Sequence, residues 1–308
     1  MVVTAFIRLC VLAHLIVLLP LIGAEADSNL TWADYDSAVL SGELVSISGS
    51  PLGDGSRLDA VLYMPEGDGP FPALVALHGA GGVFPYQLWW AQWLSEQGYA
   101  VLFVDSYCTR GHLCAHDTDD QDKRRGAIMR SWRKVGIRQR IIDAASGYQY
   151  LLSHESVKSE EIGVIGWSWG GTSALGAQKL ARKLSLQEGG FKLSIAFYPN
   201  LREVINHRQW RKLGNLNRPT LILYGESDAL ESKASYDQLI AENQKIPLRI
   251  VSYKDAVRKF DELGEERIKR HPSVGRFKKA FHGPSFEDAL SRVLSFLNKH
   301  LESELVTD

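Results

Sequence analysis

The ten residues 162–171, IGVIGWSWGG, constrain the fold of this chain more than any other segment. An apolar run, Ile162–Gly166, leads into a Gly-x-Ser-x-Gly turn centred on Ser168, and helix-favouring residues follow at 172–184. A serine at the apex of such a strand–turn–helix unit takes a strained backbone conformation, and the flanking glycines let the neighbouring chain approach closely. The segment therefore predicts that Ser168 is a nucleophile at the carboxyl end of a strand. The amide of Trp169, at the start of the next helix, is placed to bind an oxyanion.

The composition is that of an ordinary globular protein. With 308 residues, 45% of them hydrophobic, the chain can bury a large core without a metal or a set of disulfides to staple it. A formal net charge of -1 gives no indication of a nucleic-acid partner. The sequence contains no CxxC pair and no HExxH motif, so neither a metal site nor a cofactor is predicted.

The first 26 residues resemble a secretory signal peptide. Arg8 precedes an apolar run at 9–22, and Ala24-Glu25-Ala26 forms an A-x-A cleavage site. Cleavage after Ala26 would leave a domain of residues 27–308 that is secreted or periplasmic and has no stable membrane span; an uncleaved membrane anchor is the alternative. Removal of Cys10 would leave Cys108 and Cys114, which either form a disulfide or remain as two free thiols.

The rest of the chain alternates short β-rich runs with longer helical patterns, which is typical of a single α/β domain with a mostly parallel sheet and helices on both faces. The predicted strands are 58–63, 73–77, 100–104, 162–166, 193–197, 220–224 and 248–252. The predicted helices are 86–96, 136–153, 172–184, 232–242 and 286–301. The charged, glycine-punctuated segment 254–284 fits neither pattern and is too long for an ordinary connection.

Two further groups of residues follow predicted strands. After 73–77 comes the glycine-rich loop 78–82, HGAGG, in which Ala80 could supply a second oxyanion amide while His78 orients the loop. After 220–224 comes Gly225-Glu226-Ser227-Asp228, in which Asp228 is favoured over Glu226 as the acid of a catalytic triad. The chain order of serine and then acid is that of α/β-hydrolases, so a catalytic histidine is expected between the last strand and the last helix.

Residues 44–301 resemble the dienelactone hydrolase family of α/β-hydrolases. The resemblance is carried by the motifs 78–82 (HGAGG), 93–99 (WLSEQGY), 104–106 (VDS), 166–171 (GWSWGG) and 224–228 (YGESD). It implies an α/β-hydrolase fold and cleavage of a small carboxyl ester or lactone through an acyl-enzyme, with Ser168 as nucleophile and Asp228 as triad acid. The enzymes that give the family its name carry a cysteine at the elbow, where this chain has Ser168.

The catalytic histidine of the family is the serious departure. Relatives usually carry it in a stretch resembling Tyr-x-x-Ala-x-His-x-Phe-Asp, but residues 253–261 read YKDAVRKFD, with Arg258 in the histidine position. A guanidinium stays protonated and cannot accept the serine proton. His282 is therefore predicted as the base, with His271 as a weaker candidate. The absence of a working triad and a histidine from elsewhere, such as His112 or His116, are the other possibilities.

Three hypotheses of function follow. The first is a secreted serine hydrolase with Ser168, His282 and Asp228 as its triad. The second is a pseudoenzyme that binds a ligand or partner, with Arg258 anchoring a carboxylate. The third is an interaction protein of the cell envelope. The residues predicted to contact substrate are His78, Gly79, Trp167 and Arg258, and the tryptophans near Ser168 favour small or flat substrates.

Basic residues cluster in the segment 123–140. A solvated helix face is the favoured interpretation, and the alternative is that Arg130 or Arg138 steers anionic substrates. The oligomeric state is not indicated by the sequence.

Overall fold

The computed structural model describes residues 41–50, 52–112, 121–180, 189–201, 216–262, 266–271 and 275–301. The predicted signal peptide, 1–26, lies outside the described residues, as does Cys114. Within the described ranges, no helix combines the length and the apolarity that crossing a membrane requires.

An eight-stranded, mostly parallel sheet forms the centre of the domain. The strand order is β1-β2-β4-β3-β5-β6-β7-β8, and β2 alone runs antiparallel to its two neighbours, β1 and β4. Because the remaining strands are parallel, their carboxyl ends lie along one edge, where the residues that follow them can converge. The strands are β1 Glu43–Ile47, β2 Leu58–Tyr63, β3 Phe71–Leu77, β4 Ala100–Asp105, β5 Val157–Trp167, β6 Ser194–Phe197, β7 Thr220–Gly225 and β8 Leu248–Tyr253.

Helices cover both faces of the sheet, as predicted. On β4, Val104 lies beside Gly147 of a helix on one face, while Phe103 points to the other face and stacks on Trp167. The helices in the described part of the chain are α1 Pro85–Glu96, α2 Gln121–Lys134, α3 Ile137–Leu152, α4 Trp169–Leu180, α5 Lys233–Glu242 and α6 Gly283–His300.

The central strands match the predicted ones within a few residues. Three other elements, a strand, a helix and a hairpin, were not among the predicted ones. Strand β1 was not predicted, helix α2 was indicated only by the interpretation of the basic cluster 123–140 as a solvated helix face, and the segment 254–284 contains a two-stranded antiparallel hairpin, β9 Arg267–His271 and β10 Gly275–Lys279. Strongly basic residues occupy this hairpin, so it lacks the alternation of apolar and polar residues by which a strand is recognised. Helix α4 also starts earlier than predicted, because Gly170 and Gly171 are helical.

The turn from β5 into α4 depends on glycine at two positions. A Cβ on Gly170 would lie against the carbonyl oxygen of Leu77 in β3, far inside van der Waals contact. A Cβ on Gly166 would collide with the backbone of Gly170 in the same way. These close approaches let the N-terminus of α4 sit directly on the ends of β3 and β5, which fixes the position of Ser168.

We expect Gly170→Ala to lower the free energy of unfolding by at least about 2 kcal/mol, because neither backbone in this contact can move freely. Chemical denaturation would measure the change. Gly136→Ala is the matched control, since a Cβ at Gly136 meets open space and its φ of -68° suits any residue. Equal stability of the two variants would show that α4 and β3 have room for a methyl group between Gly170 and the Leu77 carbonyl.

Candidate active site

Ser168 occupies the strained turn that its sequence predicts. It lies between β5 and α4 with a φ of 55°, in the left-handed region that side chains rarely adopt. Its carbonyl oxygen accepts the first helical hydrogen bond, from the amide of Thr172 at 2.9 Å. The amide of Trp169, at the first position of α4, has no acceptor within the helix and is available to an oxyanion.

Backbone strain is concentrated around this serine. Among the described residues, the non-glycine residues with a left-handed φ are Ser168, Tyr198 at 35° and Lys259 at 65°. Tyr198 directly follows β6, and Lys259 directly follows Arg258. Strained conformations persist where the surrounding structure over-determines them, which is typical of functional sites.

Arg258 occupies the place between Ser168 and Asp228 where a triad histidine would stand. One terminal nitrogen of its guanidinium donates to the Asp228 carboxylate at 2.6 Å. The other donates to the Ser168 hydroxyl oxygen at 2.7 Å and to the Asn200 side-chain oxygen at 3.2 Å. The guanidinium also lies 5.2 Å from the ring centre of Tyr198. Serine, cation and acid thus form a continuous chain of hydrogen bonds.

The charge on Arg258 is firmly held. Burial is the largest single influence and opposes a charged guanidinium, but the Asp228 carboxylate, Tyr236 and Tyr198 together outweigh it and raise the pKa of Arg258 above its ordinary value. The Arg258 residue is 2% exposed and Asp228 is 5% exposed, so solvent screens this ion pair little. Arg258 can therefore stabilise negative charge on the Ser168 oxygen, but it cannot take up the Ser168 proton.

Arg258 does not have the surroundings of a ligand anchor. Its terminal nitrogens already face Asp228, Ser168 and Asn200, and the side chain is almost completely buried. A carboxylate ligand could bind it only by displacing one of these partners. The structure therefore argues against the expectation that Arg258 anchors the carboxylate of a bound molecule.

His282 is not brought to Ser168 by any hydrogen bond in the described part of the chain. It immediately precedes α6, where its Nδ1 lies 2.7 Å from the Ser285 hydroxyl oxygen. Its backbone amide donates to the carbonyl of Phe260 at 3.0 Å. These contacts give His282 a role at the start of a helix, and its assignment as the catalytic base stays a prediction. His271 lies in β9, and its side chain is outside the description.

The glycine-rich loop passes directly over Ser168. A Cβ built on Gly79 would lie 3.6 Å from the Cβ of Ser168 and 3.4 Å from the carbonyl oxygen of Trp167. The loop is closed by a hydrogen bond from the Gly82 amide to the Gly79 carbonyl. This placement sets the peptide between Gly79 and Ala80 beside Ser168, where the predicted oxyanion amide of Ala80 would be needed.

Two residues predicted to contact substrate are instead completely buried. His78 and Trp167 both have a relative exposure of 0%. The Trp167 indole donates to the Asp261 carboxylate at 2.8 Å, and its ring packs on Phe103 and Phe197. These side chains support the site from below, because neither reaches the surface that a substrate would touch.

A buried carboxyl group lies beneath the turn that carries Ser168. Asp261 accepts hydrogen bonds from the Trp167 indole and from the Tyr198 hydroxyl, the latter at 2.7 Å. Burial raises the pKa of Asp261 to about 6, even though both hydrogen bonds favour the carboxylate. The hydroxyl of Tyr198 is also 3.4 Å from that of Tyr86 in α1, so the network joins the strand ends to the helix after the oxyanion loop.

Several residues of the site were missed by sequence reasoning, although some left a signal. Arg140 belongs to a basic cluster interpreted as a solvated face, yet it is 2% exposed. It shares the helical face of Ile137, Ile141 and Ala144, and this period of three to four residues could have revealed its burial. Asn200 follows the carboxyl end of β6. Because functional residues of parallel sheets follow the carboxyl ends of strands, this position could have indicated that Asn200 belongs to the site. Asp261 carried no comparable signal.

Two tryptophan rings lie close together beside Ser168. The ring of Trp169 lies 5.9 Å from that of Trp132 in α2, and Trp169 is 7% exposed. Arg138 is exposed on α3.

Cys108, in the short helical turn after β4, forms a disulfide whose partner cysteine lies outside the described residues.

The parallel sheet, the strained serine turn and the glycine-rich loop at the carboxyl end of β3 together define an α/β-hydrolase fold. A putative dienelactone hydrolase from Klebsiella pneumoniae subsp. pneumoniae superimposes with a TM-score of 0.62, covering 83% of this chain and 99% of its own at 17% identity. Residues 58–301 match the model of the dienelactone hydrolase family. The chain belongs to this family, whose members are hydrolases and esterases.

Two characterised proteins are similar over part of their length. The carboxymethylenebutenolidase of Pseudomonas putida is 24% identical over 175 residues, which are 57% of this chain and 68% of that enzyme. The peroxisomal succinyl-coenzyme A thioesterase of Mus musculus is 29% identical over 121 residues, which are 39% of this chain but only 23% of that enzyme.

The buried carboxyl group of Asp261 makes stability depend on pH in a defined direction. Its pKa is about 6 in the folded protein against 3.8 for an ordinary aspartate, so the folded state holds the proton more tightly. The stabilisation is complete below the lower value and is lost as the pH rises through the upper one. We expect Asp261→Asn to remove this loss, up to about 3 kcal/mol, from the pH dependence of unfolding.

Urea denaturation at pH values of about 4 and about 7 would measure the difference. A constant offset between wild type and variant is expected from the altered hydrogen bonds, so the slope with pH is the relevant readout. Asp237→Asn serves as control, because the side chain of Asp237 is 54% exposed. Identical slopes for wild type and Asp261→Asn would contradict the prediction.

Proposed function

We propose that this protein is a secreted serine hydrolase that accepts the acyl group of a small ester, lactone or thioester on Ser168 and releases it slowly. The observation that carries the proposal is the chain of contacts Ser168–Arg258–Asp228, which supplies a cation to the nucleophile but no base. Membership of a family of hydrolases supports the reaction class. Similarity to a carboxymethylenebutenolidase and to an acyl-coenzyme A thioesterase supports carbonyl substrates of the lactone and thioester type.

In the acylation step, the Ser168 oxygen attacks the carbonyl carbon, and the carbonyl electron pair moves to its oxygen. The amides of Trp169 and Ala80 donate to this oxyanion. The electron pair on this oxygen then re-forms the carbonyl while the bond to the leaving group breaks, and the leaving group departs with the electron pair of that broken bond. The proton of Ser168 passes to the leaving group or to water, because Arg258 already carries its full complement of protons.

This arrangement favours substrates with good leaving groups. A thiolate or a phenolate departs without needing a proton, so the missing base limits such substrates least. Arg258 favours the step by stabilising negative charge on Ser168 through a charge-assisted hydrogen bond. The release of the acyl group is harder, since the attacking water must also lose a proton and the residue at position 258 cannot accept it.

The test is a pre-steady-state measurement with p-nitrophenyl acetate, together with labelling by a fluorophosphonate. For the wild type we expect a burst of about one equivalent of p-nitrophenolate followed by slow turnover, and labelling that Ser168→Ala abolishes. Arg258→His places a base between Ser168 and Asp228, so steady-state turnover should rise about 100-fold. Arg258→Gln is the matched control: it removes the same charge without supplying a base, and turnover should not rise.

Two outcomes would change the assignment. Rapid multiple turnover by the wild type that His282→Ala abolishes would make His282 the base, as the sequence predicts. A folded wild type without any burst or labelling would overturn the hydrolase proposal. The second candidate function would then be a site that binds carbonyl compounds without turnover, and the permanent charge of Arg258 favours it.

Secretion rests on the amino-terminal sequence and on the disulfide at Cys108. Disulfides persist mainly in oxidising compartments outside the cytosol. We expect export of the full-length chain to yield a mature protein that begins at Asp27, one residue after the A-x-A site. Intact mass and amino-terminal sequencing of the exported protein measure this directly. An exported protein that still begins at Met1 would favour an uncleaved anchor.

A further inference from the structure

A buried arginine lies directly beneath the glycine-rich loop. Arg140, on α3, is 2% exposed and donates to two consecutive carbonyl oxygens of the loop, those of His78 and of Gly79, the latter at 3.3 Å. It also donates to the hydroxyl of Tyr107 at 3.0 Å. No salt bridge joins Arg140 to a carboxylate in the described ranges of the chain. The buried guanidinium thus donates to two backbone carbonyls beside Ser168 and to one hydroxyl group.

The geometry of the peptide bond gives this contact a consequence. In a trans peptide, the carbonyl of one residue and the amide of the next point in opposite directions. Among the described residues the cis bond is Gly69-Pro70, so the peptide between Gly79 and Ala80 is trans. Drawing the Gly79 carbonyl towards Arg140 therefore turns the Ala80 amide away from Arg140. The loop at this point lies next to Ser168.

His78 reinforces the same carbonyl. Its Nε2 accepts the amide of Ser106 at 3.1 Å, so the ring proton lies on Nδ1, which donates to the Gly79 carbonyl at 2.7 Å. Burial, together with the charge of Arg140, lowers the pKa of His78 well below its ordinary value and keeps the ring neutral. The Gly79 oxygen thus accepts from both side chains.

We propose that Arg140 is a positioning residue that aims the Ala80 amide into the oxyanion hole, with His78 as its partner. This rests on the proposed function, because it concerns the same acyl-transfer site. Arg140 touches neither substrate nor Ser168 and acts through the carbonyls of His78 and Gly79. Without it, the Gly79 carbonyl would keep only His78 and the Gly82 amide as donors, and the Ala80 amide would be held less firmly towards the oxyanion.

The experiment replaces Arg140 by methionine, which keeps the length and apolar character of the side chain but removes its donors. We expect labelling of Ser168 by a fluorophosphonate to slow about 10- to 100-fold, since the loss of an oxyanion donor costs about 100-fold or more in rate. In the Arg258→His background, kcat for p-nitrophenyl acetate should fall by a similar factor with KM nearly unchanged. Added guanidinium ion, at concentrations that do not unfold the protein, should restore part of the rate.

Arg138→Met is the matched control, because it removes the same charge from an exposed position on the same helix. Its labelling rate should equal that of the wild type. If Arg140→Met does not fold, Arg140→Lys keeps the charge but cannot reach both carbonyls, and it should show the same loss in kcat. A folded Arg140 variant with the wild-type labelling rate would overturn the inference.

A second readout separates this inference from the proposed function. Amide hydrogen exchange at residues 79–82 should accelerate at least about tenfold in Arg140→Met and remain unchanged in Arg138→Met. This measurement needs no activity. A wild type that is never labelled would overturn the hydrolase proposal alone, whereas unchanged exchange in Arg140→Met would overturn the positioning role.

Discussion

The site depends on the close approach of α4 to the end of β3. Gly170 lies against the Leu77 carbonyl, and no larger residue fits there. This contact brings the first amides of a helix beside the loop that follows β3, and it forces Ser168 into the left-handed region. Ser168, the Trp169 amide and the glycine-rich loop owe their mutual positions to this one approach of two backbones.

Arg258 preserves the geometry of a triad while changing its chemistry. A buried ion pair is tolerated when its partners satisfy each other and their remaining hydrogen-bonding groups. Asp228, Ser168 and Asn200 provide such partners, so the guanidinium bridges acid and serine as an imidazole would. An imidazole can gain and lose a proton near neutral pH, whereas this guanidinium holds its proton. The substitution therefore affects proton transfer more than the architecture of the site.

Two buried polar networks support the site from opposite sides. On one side, Arg140 and His78 hold the carbonyl of Gly79. On the other side, Asp261 binds Trp167 and Tyr198 beneath Ser168. Hydrogen-bonded networks of this kind fix side chains in a low-dielectric interior. Tyr198, one of the residues with a left-handed φ, is held directly by the second network.

The sequence alone determined the parallel strands, the serine turn, the glycine-rich loop and the acid at Asp228, because each leaves a local pattern of apolar runs and glycines. It also placed Arg258 in the position usual for a histidine. The tertiary structure decided the partners of that arginine, the burial of His78, Trp167 and Arg140, and the placement of His282 before α6. These depend on contacts between residues far apart in the chain, such as the 90 positions from Ser168 to Arg258, and no local pattern encodes such contacts.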